Sequence, residues 1–142
     1  MAAVWMSISG IINSHLIMAM AVQRFGTAAQ KQAFLPRFAT GELRGGIGLT
    51  EPDCGTDLQA IRTVARRDGD DYVVNGTKMW ITNSLHGNCI ALLVKTDPKA
   101  EPRHKGMSLL IAEKGPGFTV SKKLEKLGYK GIDTCALSFE NY

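Results

Sequence analysis

Cysteine is scarce and poorly placed for cross-linking: Cys54, Cys89 and Cys135 are odd in number and far apart, without the close spacing of a zinc site or a redox dithiol. That excludes a disulfide framework and fits reduced, structural thiols in a cytoplasmic setting. Histidine is equally sparse. His15, His86 and His104 are dispersed, so no metal site is read from them. Several signatures are missing as well: there is no GxGxxG, no lysine-bearing phosphate loop, and no nucleophile elbow around Ser84. The glutamates and aspartates contain no recognisable acid/base pair, so no catalytic residue is assigned within the chain.

Charge is also absent from positions 2 to 22, a stretch that includes Ala19-Met20-Ala21 and so raises the question of a secretory signal. A signal needs a basic leader and an unbroken apolar centre. Here no Lys or Arg precedes Arg24, and Ser7, Ser9, Asn13, Ser14 and His15 interrupt the run. The same polar residues argue against a membrane-spanning helix. What remains is a helix mostly surrounded by protein, with Trp5, Ile8, Ile12, Leu16 and Ile17 among its packing residues. Elsewhere 17 basic residues face 13 acidic ones, for a net charge of +4. Nothing in that balance suggests nucleic acid. The densest run, Lys122, Lys123, Lys126 and Lys130, reads as a solvated face or as an attraction for a polyanionic ligand.

The 142 residues suffice for about one ordinary domain with a real core. Thr27-Ala28-Ala29-Gln30 has the spacing of a capping box, so a second helix is expected from Ala28, breaking or kinking near Pro36 and stopping at Gly41. From Gly45 the helical period vanishes. Short runs follow over 46–50, 63–67, 72–75, 78–82, 89–96, 107–113, 118–122 and 134–139, separated by turn residues. Asp68-Gly69-Asp70 and Asn75-Gly76 read as hairpin turns. The fold class is therefore α+β: N-terminal helices over 1–43, then an antiparallel β sandwich or barrel over 44–142.

Two stretches carry chemistry. In Leu49-Thr50-Glu51-Pro52-Asp53-Cys54-Gly55-Thr56-Asp57, Gly55 lets a backbone approach a ligand, Thr56 offers an amide and a hydroxyl, and Asp57 is placed to cap a short helical turn through Leu58-Gln59-Ala60. Amides converging at such a turn bind phosphate oxygens, although the same loop also reads as a plain capped turn. In Lys78-Met79-Trp80-Ile81-Thr82-Asn83, alternation puts Trp80 and Thr82 on one strand face, suited to a flat ring system or simply to core packing.

Together these strings resemble the flavin-dependent acyl-CoA dehydrogenases over nearly the whole chain. Gly26-Thr27 with Gln30-Lys31, Phe34-Leu35-Pro36 and Thr40-Gly41-Glu42 resembles the passage from that family's helical domain into its middle β domain. Leu49 to Asp57 is similar to one family signature and Asn75-Gly76-Thr77-Lys78 through Asn83 to another. Gly128, Gly131, Asp133 and Thr134 with Leu137-Ser138-Phe139-Glu140 resemble the close of that domain.

The resemblance implies FAD as cofactor and an acyl-CoA thioester as substrate. It places Leu49 and Thr50 at the flavin's pyrimidine edge, Gly55 and Thr56 at the pyrophosphate, and Trp80, Ile81 and Thr82 along the isoalloxazine, with Trp80 over one face and Thr82 near N5. Thr56 would also reach the substrate's pantetheine arm, and Asn13 and Ile17 would contact the acyl chain. Cys54 stands where the family often has Ala, and Ile132 where it often has Ser, so no polar contact is carried over at Ile132. The family's base is a carboxylate on a later helical domain, so the chain reads as a fragment in which that domain is absent. An electron acceptor such as electron-transfer flavoprotein and a homo-oligomer are implied for the complete enzyme. An acyl-CoA oxidase and a non-catalytic binding module on the same scaffold are the alternatives.

Overall fold

A computed structural model describes residue 3 and residues 5–142, so positions 2 and 4 of the apolar N-terminal run lie outside the described residues. Helix α1 spans Met6–Phe25 and α2 spans Ala28–Thr40. The capping box at the start of α2 forms as expected: the Thr27 hydroxyl accepts the Gln30 amide at 3.2 Å, and the Gln30 side chain accepts the Thr27 amide at 2.9 Å. The helix does not break at Pro36. It continues to Thr40 because Pro36 and Gln32 both face solvent, where water satisfies the carbonyl that the missing N–H would have met, while Phe34, Leu35 and Phe38 hold the other side against the core.

The buried stripe of α1 differs from the expected one. Ser7, Met18 and Val22 are buried, whereas Trp5, Ile12 and Leu16 are exposed and Ile8 and Ile17 are half-buried. A helix apolar nearly all round gives no periodic contrast from which to choose its inward face. Tertiary contacts choose it here. Met18 and Val22 join Phe38, Leu43, Cys89 and Ala91 in one cluster. Beside them the Gly45 amide donates to His15 Nδ1 at 3.2 Å, so Nε2 carries the hydrogen that reaches the Phe38 carbonyl at 3.0 Å. One imidazole thus joins both helices to the first strand. By length and composition α1 is also long and apolar enough to cross a membrane.

The rest is one curled, seven-stranded sheet of β1 (Gly45–Gly48), β2 (Val64–Asp68), β3 (Asp71–Thr82), β4 (Cys89–Lys95), β5 (Met107–Glu113), β6 (Phe118–Lys123) and β7 (Thr134–Phe139). Its order is β1-β4-β2-β3-β7-β6, with β5 on β4. Pairing is antiparallel except where β4 runs parallel to β1, from Gly45 opposite Cys89 to Gly48 opposite Leu92, and to β2 at Val64 opposite Lys95. The sheet is therefore mixed. The whole β2–β3 hairpin lies between β1 and β4 in sequence and supplies the long connection that parallel pairing requires.

That hairpin turns where expected, with Gly69 at φ +61° between the paired Asp68 and Asp71. Asn75-Gly76 does not turn. It lies inside the continuous β3, where Gly76 takes φ +149° and a Cβ would sit 2.5 to 2.8 Å from atoms of Thr63. The permissive backbone serves a close strand crossing rather than a hairpin. Inside the curl, Val74, Ile81, Ile90, Leu92, Leu137 and Phe139 form the main core, closed at one end by the Phe118–Phe139–Tyr142 ring cluster.

Candidate flavin site

After Gly48 the chain leaves β1 and reverses. Glu51 and Cys54 exchange backbone hydrogen bonds of 2.9 and 3.2 Å, which closes the turn around Pro52 and Asp53. Three residues later Asp57 accepts the Gln59 amide at 3.2 Å and starts the 3-10 turn Leu58–Ala60, the capped turn read from sequence. Between these turns, Gly55 and Thr56 are exposed and their amides take no backbone partner among the described residues. A Cβ built on Gly55 would meet only the Thr50 methyl, at 3.8 Å. The loop therefore presents unused donors to an open side, the arrangement that an anionic group needs.

The second stretch is the end of β3. Here the ladder to β7 shifts register between Lys78 and Ile81, and Trp80 adopts φ +63°. The bulge breaks simple alternation. Lys78 and Ile81 are both buried, while Trp80 is 60% exposed and Thr82 half-buried. A bulky residue in the left-handed region costs backbone energy, and an indole held outward cannot recover it by packing. Strain and exposure together point to a surface that meets a flat group.

The two stretches are adjacent in space. The Thr50 carbonyl accepts the Met79 amide at 2.9 Å, and a Cβ on Gly46 would lie 2.8 Å from the Thr82 carbonyl. Leu49, Thr50, Gly55, Thr56, Trp80 and Thr82 thus belong to one region. Among the described residues the hydroxyls of Thr50, Thr56 and Thr82 make no protein hydrogen bond. Ile81 is different: at 2% exposure it lies in the core between the exposed Trp80 and the half-buried Thr82. Asn13 is exposed and Ile17 half-buried on α1. Neither is tied to the loop by a hydrogen bond among those described.

Three supporting residues were not singled out in the sequence for the part they play. Glu51 accepts the Arg62 and Thr63 amides at 2.6 and 3.0 Å and meets Lys78 Nζ at 2.9 Å. Lys78 Nζ also donates to the Leu49 carbonyl at 3.0 Å. Burial acts to raise the Glu51 carboxyl, but hydrogen bonds from Thr63, Arg62 and Lys78 outweigh it and hold the group below its usual value. Burial lowers the Lys78 ammonium, with the pairing to Glu51 opposing it. Asp133 accepts the Ser84 and Leu85 amides at 2.8 and 2.9 Å and so fixes the chain just beyond Thr82. The available signal was a charged residue at an inward strand position, Lys78, together with an acid in the turn.

The donors present suit FAD: free amides beside Gly55 for a pyrophosphate, free hydroxyls for ring edges, and an exposed indole for a ring face. Among the described residues no group of His, Cys, Asp and Glu is arranged to hold a metal. Cys89 and Cys135 are buried and free, and burial pushes the Cys89 thiol up to about 12, which keeps it protonated.

Known proteins match the chain in both sequence and fold. The acyl-CoA dehydrogenase middle-domain family matches residues 46–142 and the N-terminal-domain family residues 1–42. Mitochondrial isovaleryl-CoA dehydrogenase of Pongo abelii is 42% identical over 83% of this chain, which covers 28% of that protein. An acyl-CoA dehydrogenase structure from Geobacillus kaustophilus superposes with a TM-score of 0.82 at 49% identity, covering 84% of this chain and 32% of its own. A glutaryl-CoA dehydrogenase from Mycobacterium smegmatis, solved in complex with FADH2, gives 0.77 at 37% identity over 87% of this chain and 31% of its own. The chain thus spans about a third of the length of such relatives. By sequence and fold, this chain belongs to the acyl-CoA dehydrogenase family.

Proposed function

We propose that residues 1–43 close an N-terminal helical domain and residues 44–142 form the flavin-binding domain of an FAD-dependent acyl-CoA dehydrogenase. The observation that carries this reading is the Thr50–Met79 hydrogen bond, which sets free donors and an exposed indole side by side. Leu49 and Thr50 bind the flavin's pyrimidine edge, Gly55 and Thr56 its pyrophosphate, and the Trp80–Thr82 segment its ring, with Ile81 contributing backbone only. These residues would hold a flavin, which would supply the hydride acceptor for oxidation of the Cα–Cβ bond of an acyl-CoA to the enoyl-CoA. The chain's own part is to bind, to orient through Thr82, and to cover one ring face with Trp80.

Thr56 also serves the thioester's pantetheine arm, and Asn13 and Ile17 its acyl chain. No catalytic residue is assigned within the chain. We place the protein in the cytoplasm, as reduced thiols fit, although the Pongo abelii relative is mitochondrial. Electron-transfer flavoprotein is the proposed acceptor and a homo-oligomer the proposed assembly. A flavin-bound structure of the intact protein containing this chain tests the reading. An isoalloxazine against Trp80 and Thr82 supports it, and one remote from both rejects it. Oxygen consumption coupled to turnover would identify an acyl-CoA oxidase instead.

A further inference from the structure

The Glu51–Lys78 pair is buried at 5% and 0% side-chain exposure; Glu51 sits in the turn after β1, and Lys78 lies on β3 immediately before the register shift that displays Trp80. Buried pairs are poor stabilisers, because removing two charges from water offsets most of their attraction, and an apolar pair of similar volume often does as well. Stability alone is thus a weak account of this one. Its contacts are more telling. Through Lys78 Nζ it holds the Leu49 carbonyl, through Glu51 the Arg62 and Thr63 amides, and one residue along the backbone Met79 donates to Thr50. The pair therefore locks the ligand loop, the entry to β2 and the Trp80 bulge into one register. An apolar pair would fill the space without specifying that register.

We propose that Glu51 and Lys78 are positioning residues, setting the separation between the Thr50 loop and the Trp80–Thr82 segment across which the flavin lies. This rests on the flavin reading above. Neither residue touches the cofactor. Each acts through the backbone of its neighbours.

The test compares wild type, Lys78→Met, Glu51→Gln/Lys78→Met and the core control Val94→Ala in the intact protein containing this chain. Val94 is fully buried on β4 and makes none of the pair's hydrogen bonds. Readouts are the denaturation midpoint, FAD dissociation constant by fluorescence titration, flavin absorption spectrum and flavin midpoint potential. The double variant is expected to stay cooperatively folded while FAD affinity falls at least tenfold and the spectrum and potential move. Val94→Ala is expected to lower the midpoint without moving the spectrum or potential. A double variant with wild-type affinity, spectrum and potential overturns the positioning role alone, as does a control that shifts the flavin equally. Wild type unable to bind FAD overturns the flavin reading and this inference with it. Should the variants not fold, a flavin-bound wild-type structure decides: the pair intact beneath the ring supports the role, and Glu51 parted from Lys78 rejects it.

Discussion

The carbonyl of Thr50 accepts the amide of Met79 at 2.9 Å, and this bond joins two segments separated by the entire β2 strand and its hairpin. Thr50 brings with it the Gly55–Thr56 loop, and Met79 precedes Trp80.

Thr82→Val conserves volume on a β-branched residue and removes a hydroxyl that has no protein partner among those described, so the fold is expected to be unaffected. If the hydroxyl binds flavin N5, the loss is about 0.5–1.5 kcal/mol of net interaction. Reductive half-reaction rates and flavin potential in the intact protein check this. Both staying at wild-type values would exclude the role.

Trp80 holds a left-handed backbone while 60% exposed, so its indole is retained at a conformational cost. Asn tolerates that conformation better. Trp80→Asn is expected to leave stability unchanged or raise it by up to about 1 kcal/mol, while weakening FAD binding. Urea denaturation and FAD titration give the two answers. A clear loss of stability would show that the indole packs rather than waits for a ring.

Asp133 is 6% exposed and receives two amides from the turn after β3. Asp133→Ala leaves both donors without an acceptor and is expected to cost about 1–3 kcal/mol, whereas Asp133→Asn keeps an oxygen and should lose less. Similar losses for both variants in chemical denaturation would argue that charge, not acceptance, is what matters.

Glu51 gives an acid limb to the stability profile. Burial acts against it, but its hydrogen bonds to Thr63, Arg62 and Lys78 hold the folded carboxyl below its ordinary value near 4.5. The unfolded chain then takes the proton more readily. The stabilisation is fully present above that ordinary value and is lost as pH falls through the lower folded one. Denaturation midpoints between about pH 7 and about pH 3 should therefore fall, and Glu51→Gln should flatten the limb. An unchanged slope in the variant would assign the limb to other carboxylates.

The 142-residue polypeptide expressed alone should not form enoyl-CoA, even with FAD and an artificial electron acceptor. Its buried carboxylates, Glu51 and Asp133, are committed to backbone amides, and neither is free to take a substrate proton. Flavin absorbance and product formation on that polypeptide check this. Stoichiometric yellow protein with multiple turnovers would place the base within these residues.

Much of this molecule follows from short-range chemistry. The capping box at Thr27, the Asp57-capped turn and the Gly69 hairpin are local, governed by hydrogen bonds and sterics within a few residues, and each forms as its residues dictate. The two stretches of the candidate site are likewise recognisable as strings. Four things are not local and were decided only by the tertiary structure. α1 presents Met18 and Val22 inward because Phe38 and the sheet are there to receive them. Gly76 lies in a strand because β3 pairs there with β7, and Thr63 approaches it too closely for a side chain. β1 runs parallel to β4, a pairing between distant segments. Lys78 is buried at an inward strand position because a carboxylate from a turn far back in the sequence folds over to meet it. Local patterns name what each residue can bond to, but the partner of a buried charge, or the side of a uniformly apolar helix that dries, depends on which surfaces the chain brings together.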